Sequence, residues 1–132
     1  MIRPEWSPRI LSVLRIVTAL LFLQHGLMKS FAFPAPIPGM DHLPPILIAA
    51  SIIELVCGTL ITLGLFTRIA AFIASGEMAV AYFMGHISRG FWPALNQGEA
   101  AIMFCFIFLY LVFAGPGEWS VDAMRGKAAP RT

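Results

Sequence analysis

PILIAASIIELVCGTLITLGLFTRIAAFIASGEMAVAYFMGHI, residues 45–87, consists of two oily runs separated only at FTR, 66–68. Each run is close to the ~20 residues a helix needs to cross the hydrocarbon core of a bilayer. With so little chain between them, the spans 45–66 and 68–87 must form a tight helical hairpin. Two more runs flank the hairpin, 10–31 before it and 98–115 after it. Their connections are longer and rich in Pro and Gly: AFPAPIPGMDHLPP on one side, ISRGFWPALNQG on the other.

Composition points the same way. Of 132 residues, 58% are hydrophobic and only 12% charged, against about 25% charged in an ordinary soluble domain. Mean hydropathy is +0.80. So few charges cannot cover a soluble protein, and lipid is the expected solvent. The net charge of +2 gives no reason to expect a nucleic-acid partner. Arg3 and Arg9 ahead of an apolar run resemble a signal peptide, but no small-x-small cleavage site follows, so the run is read as a retained first span. Cys57 and Cys105 sit inside apolar runs, with no C-x-x-C and no metal-ligand spacing, so they read as small hydrophobes and no metal site is expected.

The fold class expected is therefore all-α: a polytopic membrane protein, one domain over 1–132, forming a compact four-transmembrane-helix bundle. Four spans bring both termini to one side. That side carries Arg3, Arg9, Arg68, Arg125, Lys127 and Arg131, the other only Lys29 and Arg89. By the positive-inside rule the termini are cytoplasmic, in a bacterial inner (plasma) membrane. Trp6 and Trp119 at one interface, and Phe91 and Trp92 at the other, suit aromatic belts. The last residues, GKAAPRT, read as a frayed tail.

Helical spacing sorts the polar residues into stripes. They are Arg15, Thr18, Phe22, His25 and Lys29 in the first span, and Ser51, Glu54, Gly58 and Thr62 in the second. The third gives Ala70, Ala74, Glu77, Ala81 and Gly85, and the fourth Glu99, Met103, Phe106 and Tyr110. Small residues allow close approach and polar ones bond across the seam, so the stripes are expected to face inward. At a rise of about 1.5 Å per residue from the cytoplasmic face, Arg15 lies about 9 Å in, Glu77 about 13 Å, Glu54 about 18 Å and His25 about 24 Å. The ionizable groups then form a ladder through the bundle.

Carboxyls at mid-bilayer cost about 2.5–3.5 kcal/mol each, so Glu54 and Glu77 are the strongest site candidates, with interhelical bonding as their alternative role. His25 is too deep to reach the surface and is expected to face the bundle, completing a catalytic set of His25, Glu54 and Glu77. Lys29 reads singly as a snorkelling anchor. Glu99 suits the dipole at the start of the last helix. Together Lys29, His86, Arg89, Asn96 and Glu99, with Gln97, would form a polar vestibule suited to a small anion or a quinone head group. His42, beside Asp41, reads as solvated.

Several stretches resemble the DoxX family of small integral membrane proteins: LLFLQHGLMKSF, IELVCGTLITLGLFTRIAA, YFMGHISRGFWPALNQGEAA and AGPGEWSVDA, in that order along most of the chain. His25, Gly26, Lys29, Glu54, Arg68, Asn96, Gly98 and Glu99 match family-like positions. The resemblance implies a four-helix membrane protein. Its relatives include the quinone-reducing membrane subunit of a thiosulfate:quinone oxidoreductase, proteins linked to complexes handling thiols and oxidative stress, and accessory proteins.

Two functions compete. One is a quinone-linked oxidoreductase subunit. The chain has no haem-ligand motif, flavin fingerprint or paired thiols, so no cofactor is intrinsic and a partner must supply electrons from a sulfur or thiol donor. The other is a non-catalytic accessory or assembly protein that packs against another membrane protein or a second copy of itself. Transport is the weaker reading, since four spans are few and no inverted repeat is evident.

Overall fold

The computed structural model describes residues 3–128. Arg131 and the end of GKAAPRT lie outside them. The described chain is all-helical, with no strand. Helix α1 runs Trp6–Phe31, α2 Pro45–Leu63, α3 Thr67–Gly85, a short α4 Pro93–Asn96, α5 Glu99–Ala114 and α6 Val121–Ala128, with a 3₁₀ turn at Ile87–Arg89. α1, α2 and α3 are long and apolar enough to cross a bilayer. α5, with 16 residues, spans about 24 Å and is the short member of the set.

Local chemistry sets the ends. α1 stops at Ala32, which takes the left-handed conformation (φ 51°) and donates its N–H to the Met28 carbonyl, before a run of prolines. Pro45 opens α2 at a position where no amide hydrogen is needed. Gly64, at φ 69°, closes α2 and starts the hairpin turn. There a Cβ would strike Ser120 at 2.4 Å, so glycine is required on two counts. The α3 N-terminus is capped from a distance. Asp122 accepts the Phe66 and Thr67 amides at 3.0 Å each.

α1 packs along α2, α2 on α3 and α3 along α5, while α5 only lightly touches α1 to complete the ring. Gly26 and Gly58 set the α1–α2 approach. A Cβ on Gly26 would lie 3.0 Å from the Glu54 Cβ, and one on Gly58 3.1 Å from the Leu23 Cβ. At the centre Phe22, Phe104 and Phe108 form an aromatic plug, Phe22 lying edge-on to Phe108 with centroids 4.9 Å apart. Outside, large apolar side chains such as Phe72, Phe83 and Phe113 are exposed along the helices, as lipid contact requires and water would penalise.

The expected stripes hold best for α1 and α2. Arg15, Thr18 and Phe22 are buried, as are Ser51, Glu54 and Gly58. On α3, Ala70 and Ala74 are buried, Glu77 and Ala81 partly so, and Gly85 is exposed. The stripe expected for the last span is wrong. Glu99, Met103, Phe106 and Tyr110 are all exposed, and Ala101, Phe104, Phe108 and Leu111 face the core. α5 is apolar on every side, so its few polar residues do not mark the packed face.

The first and last described residues lie at one end, here the terminal end, with the α2–α3 turn. Arg15, only 1% exposed, sits there rather than in a ladder. Its guanidinium donates to the Pro116 and Trp119 carbonyls, the latter at 2.7 Å. Ser12 accepts the Trp119 amide at 2.9 Å, and Asp122 donates its amide to the Gly64 carbonyl at 2.8 Å. Arg68 donates to the Val112 and Phe113 carbonyls, closing the C-terminus of α5. The GPGEWSVD segment is thereby tied to the bundle, a role for Arg15 that its place in a stripe does not reveal.

Candidate functional site

Between the aromatic plug and the opposite, loop end, the four long helices leave a cavity of about 700 Å³. Its walls are largely apolar, from Ile46, Leu47 and Ile53 on α2, Val80 and Met84 on α3, and Phe104 on α5. His25, Lys29, Glu54, Glu77, His86 and Arg89 all contribute to its lining. Six of the eight sequence candidates thus meet around one space.

Lys29 does not snorkel. Its ammonium donates to both oxygens of Glu54, at 2.8 and 2.7 Å, with the two side chains 13% and 2% exposed. Helix direction explains this. Side chains lean toward the N-terminus of their helix. α1 and α2 are antiparallel, so Lys29 leans back into the bundle while Glu54 leans up toward the loop end. The glycine at position 26 leaves the room in which they meet.

Glu77 faces the same cavity from α3, within electrostatic reach of both Glu54 and Lys29. Its Oε2 is buried without a hydrogen-bond partner. His25 lies edge-on to Phe104, centroids 6.0 Å apart, and is open to the cavity rather than packed in the core. The cavity therefore holds a neutralised ion pair, a carboxyl group with an unused oxygen, and an imidazole, all against apolar walls. Buried polar atoms without partners are rare, because the lost hydration is costly, and this one belongs to a residue that lines the cavity.

The remaining candidates divide. His86 Nδ1 lies 3.1 Å from the Asn96 carbonyl oxygen, and its ring stacks on Tyr82. Arg89 reaches Gln97 at 3.4 Å. Asn96, fully buried, is outside the lining. Its amide donates to the Gly90 carbonyl at 2.9 Å, and its Oδ1 accepts the Gly98 amide at 2.8 Å. It shapes the turn that carries Gln97. Glu99 begins α5, exposed and also outside the lining, where its charge favours the helix dipole. Phe104 escapes sequence reasoning because nothing in the uniformly apolar α5 distinguishes it, whereas Gln97 belongs to the polar loop already noted.

A family model described as DoxX matches residues 10–87. The chain is 44% identical to an uncharacterized protein of Haemophilus influenzae, over 89% of this chain and 92% of that one. It is 28% identical to an uncharacterized membrane protein of Mycobacterium tuberculosis, over 98% of this chain and 88% of the relative. No solved structure matches.

Proposed function

This chain belongs to the DoxX family of integral membrane proteins, and from that premise we propose that it is the membrane subunit of a quinone-linked oxidoreductase, binding the quinone head group in the loop-end cavity. The observation that carries the reading is that Glu77, whose buried carboxyl oxygen has no partner, and His25 line the same apolar-walled space. A quinone carries two carbonyl acceptors on a flat ring and an apolar tail. Glu77 in its protonated form and His25 supply donors, and the walls from α2, α3 and α5 accept the ring. Because Glu54 already neutralises Lys29, the interior offers little to an anion, and the neutral head group is the better fit.

Reduction of a quinone takes two electrons and two protons and yields the quinol. A partner supplies the electrons by oxidising a sulfur or thiol donor. This chain's residues hold the protons, with Glu77 and His25 in the roles of acids and the Lys29–Glu54 pair keeping the site's charge balanced. Arg89 and His86 stand at the opening. The bilayer is a bacterial plasma membrane, with the terminal end cytoplasmic.

Gently solubilised protein from its own membranes tests this by native mass spectrometry and solvent extraction. A quinone near one per chain, reduced at least tenfold in His25→Ala and Glu77→Leu, is expected. A bound protein partner with no quinone overturns the reading and favours the accessory role instead.

A further inference from the structure

The bundle cavity is not lined evenly by the four long helices. α1 gives it only His25 and Lys29, and α5 only Ala100, Ala101 and Phe104, whereas α2 lines it from Ile46 to Glu54 and α3 from Ile73 to Gly85. Helical geometry says which sides these are. Gly26 of α1 abuts Glu54 and Leu55, so α1 lies on the Leu55 side of α2, and Ala50, Ile46, Ile53 and Ala49 turn progressively away from it toward α3. On α3, Ser75 donates to the Cys105 carbonyl of α5, and Glu77, Ile73, Val80 and Gly76 turn away from that contact, toward α2 and then outward.

The outermost of these residues, Ile46, Ala49, Ile73, Gly76 and Val80, line the cavity and are exposed at the same time. The cavity is therefore open along the α2–α3 seam. Depth separates this opening from the polar one past Arg89 and His86. At about 1.5 Å per residue, Gly76 and Ile73 lie about 14 and 18 Å from the loop-end terminus of α3, level with the hydrocarbon of the bilayer. Toward the connecting turn the seam closes, with Cys57, Ile61, Ala70 and Ala74 buried in the core. At Gly76 it is wide, since a Cβ there would meet nothing within 4 Å.

We propose that this seam is a lateral window from the bilayer into the cavity, and that it holds the isoprenoid tail of the quinone whose head group lies at Glu77 and His25. The outer residues of the window are all apolar, whereas an isoprenoid tail leaving past Arg89, His86 and Gln97 would strip water from polar groups without replacing their hydrogen bonds. Through the window the tail stays in hydrocarbon along its length. The proposal rests on the quinone reading for its occupant and narrows the substrate class to long-tailed quinones dissolved in the membrane.

Two probes test it on the protein in lipid nanodiscs: a polyprenyl benzoquinone with a diazirine in the isoprene units nearest the ring, and a benzoquinone with the same ring and no tail. Tail adducts are expected on Ala49, Ile53, Ile73 or Val80. Gly76→Trp is expected to weaken the tailed probe at least tenfold and to leave the tailless one unchanged. Ala49→Trp, across the seam, repeats the test should the first variant fail to fold, and Phe106→Trp, on the exposed face of α5, changes neither. Where the bare ring binds too weakly to measure, the tail adducts decide. Tail adducts on the loop that carries Phe91 and Trp92, equal loss of both probes, or loss of neither overturns the window and leaves the head-group site standing. Failure of the unsubstituted protein to bind either probe removes the quinone reading, and this occupant with it.

Discussion

Lys29 and Glu54 illustrate what a single residue's position in sequence conceals. Spacing places Lys29 near the end of a span, where a lysine ordinarily reaches for water. That it instead meets Glu54 depends on the antiparallel lean of two helices and on the missing side chain of Gly26, neither of which is visible one helix at a time. Removing one partner leaves a buried uncompensated charge, which costs about 3–5 kcal/mol, whereas removing both does not. Lys29→Ala is therefore expected to unfold at a lower temperature in detergent than the Lys29→Ala/Glu54→Ala double variant, and equal melting points would contradict the pairing. Asp122 works at the other end. Burial pushes its carboxyl up, but hydrogen bonds from Thr67 and Phe66 and the nearby Arg125 outweigh this and hold it below the usual Asp value. A lowered folded-state pKa means that the tie contributes in full above the ordinary Asp range and is lost as pH falls through the lower, folded value. Protease sensitivity of the segment after Gly115 should thus rise only in acid, and Asp122→Asn should show that sensitivity at pH 7, at a cost of about 1 kcal/mol as for other helix caps.

Among the elements, α1 and α2 were legible because polar and small residues gather on their packed sides. α5 was not, because an all-apolar helix offers no contrast by which to choose a face, and its buried Ala101, Phe104 and Phe108 emerge only from packing. The α1–α2 crossing makes a sharp test. Gly26→Ala places a Cβ 3.0 Å from the Glu54 Cβ and 3.1 Å from the Leu55 amide nitrogen, whereas Gly76→Ala on α3 meets nothing within 4 Å. Overpacking of this kind costs about 1–3 kcal/mol. Gly26→Ala is expected to lower the detergent melting temperature while Gly76→Ala leaves it unchanged or raised, since alanine favours the helix. Similar losses in both would mean that α1 and α2 are not in close contact at that point.

In the molecule as a whole, the bundle divides along its axis into three zones: a carbonyl-bound Arg15 knot at the terminal end, an aromatic plug, and the cavity at the loop end. Counted depth spreads the ionizable groups into a ladder through the bundle, because depth alone cannot say which residues share a space. It did bring six of the cavity-lining polar residues to notice, since ionizable groups are rare enough in membrane helices to stand out. The orientation proposed in the membrane rests on the distribution of cations. A green fluorescent protein fused after the last residue is expected to fluoresce, and alkaline phosphatase inserted at Gly39 to be active. The opposite pair of results would reverse the sidedness proposed for the cavity.

The central claim is that the cavity, and not the lipid-facing surface, holds a quinone head group. A photoreactive azido-quinone added to membranes containing the protein, followed by peptide mapping, tests it most directly. The expected adducts fall on the peptides bearing His25 and Glu77, are displaced by unlabelled quinone, and drop at least tenfold in Glu77→Leu. Adducts scattered over the outward faces that carry Phe72, Phe106 and Phe113, and indifferent to competitor, would contradict it.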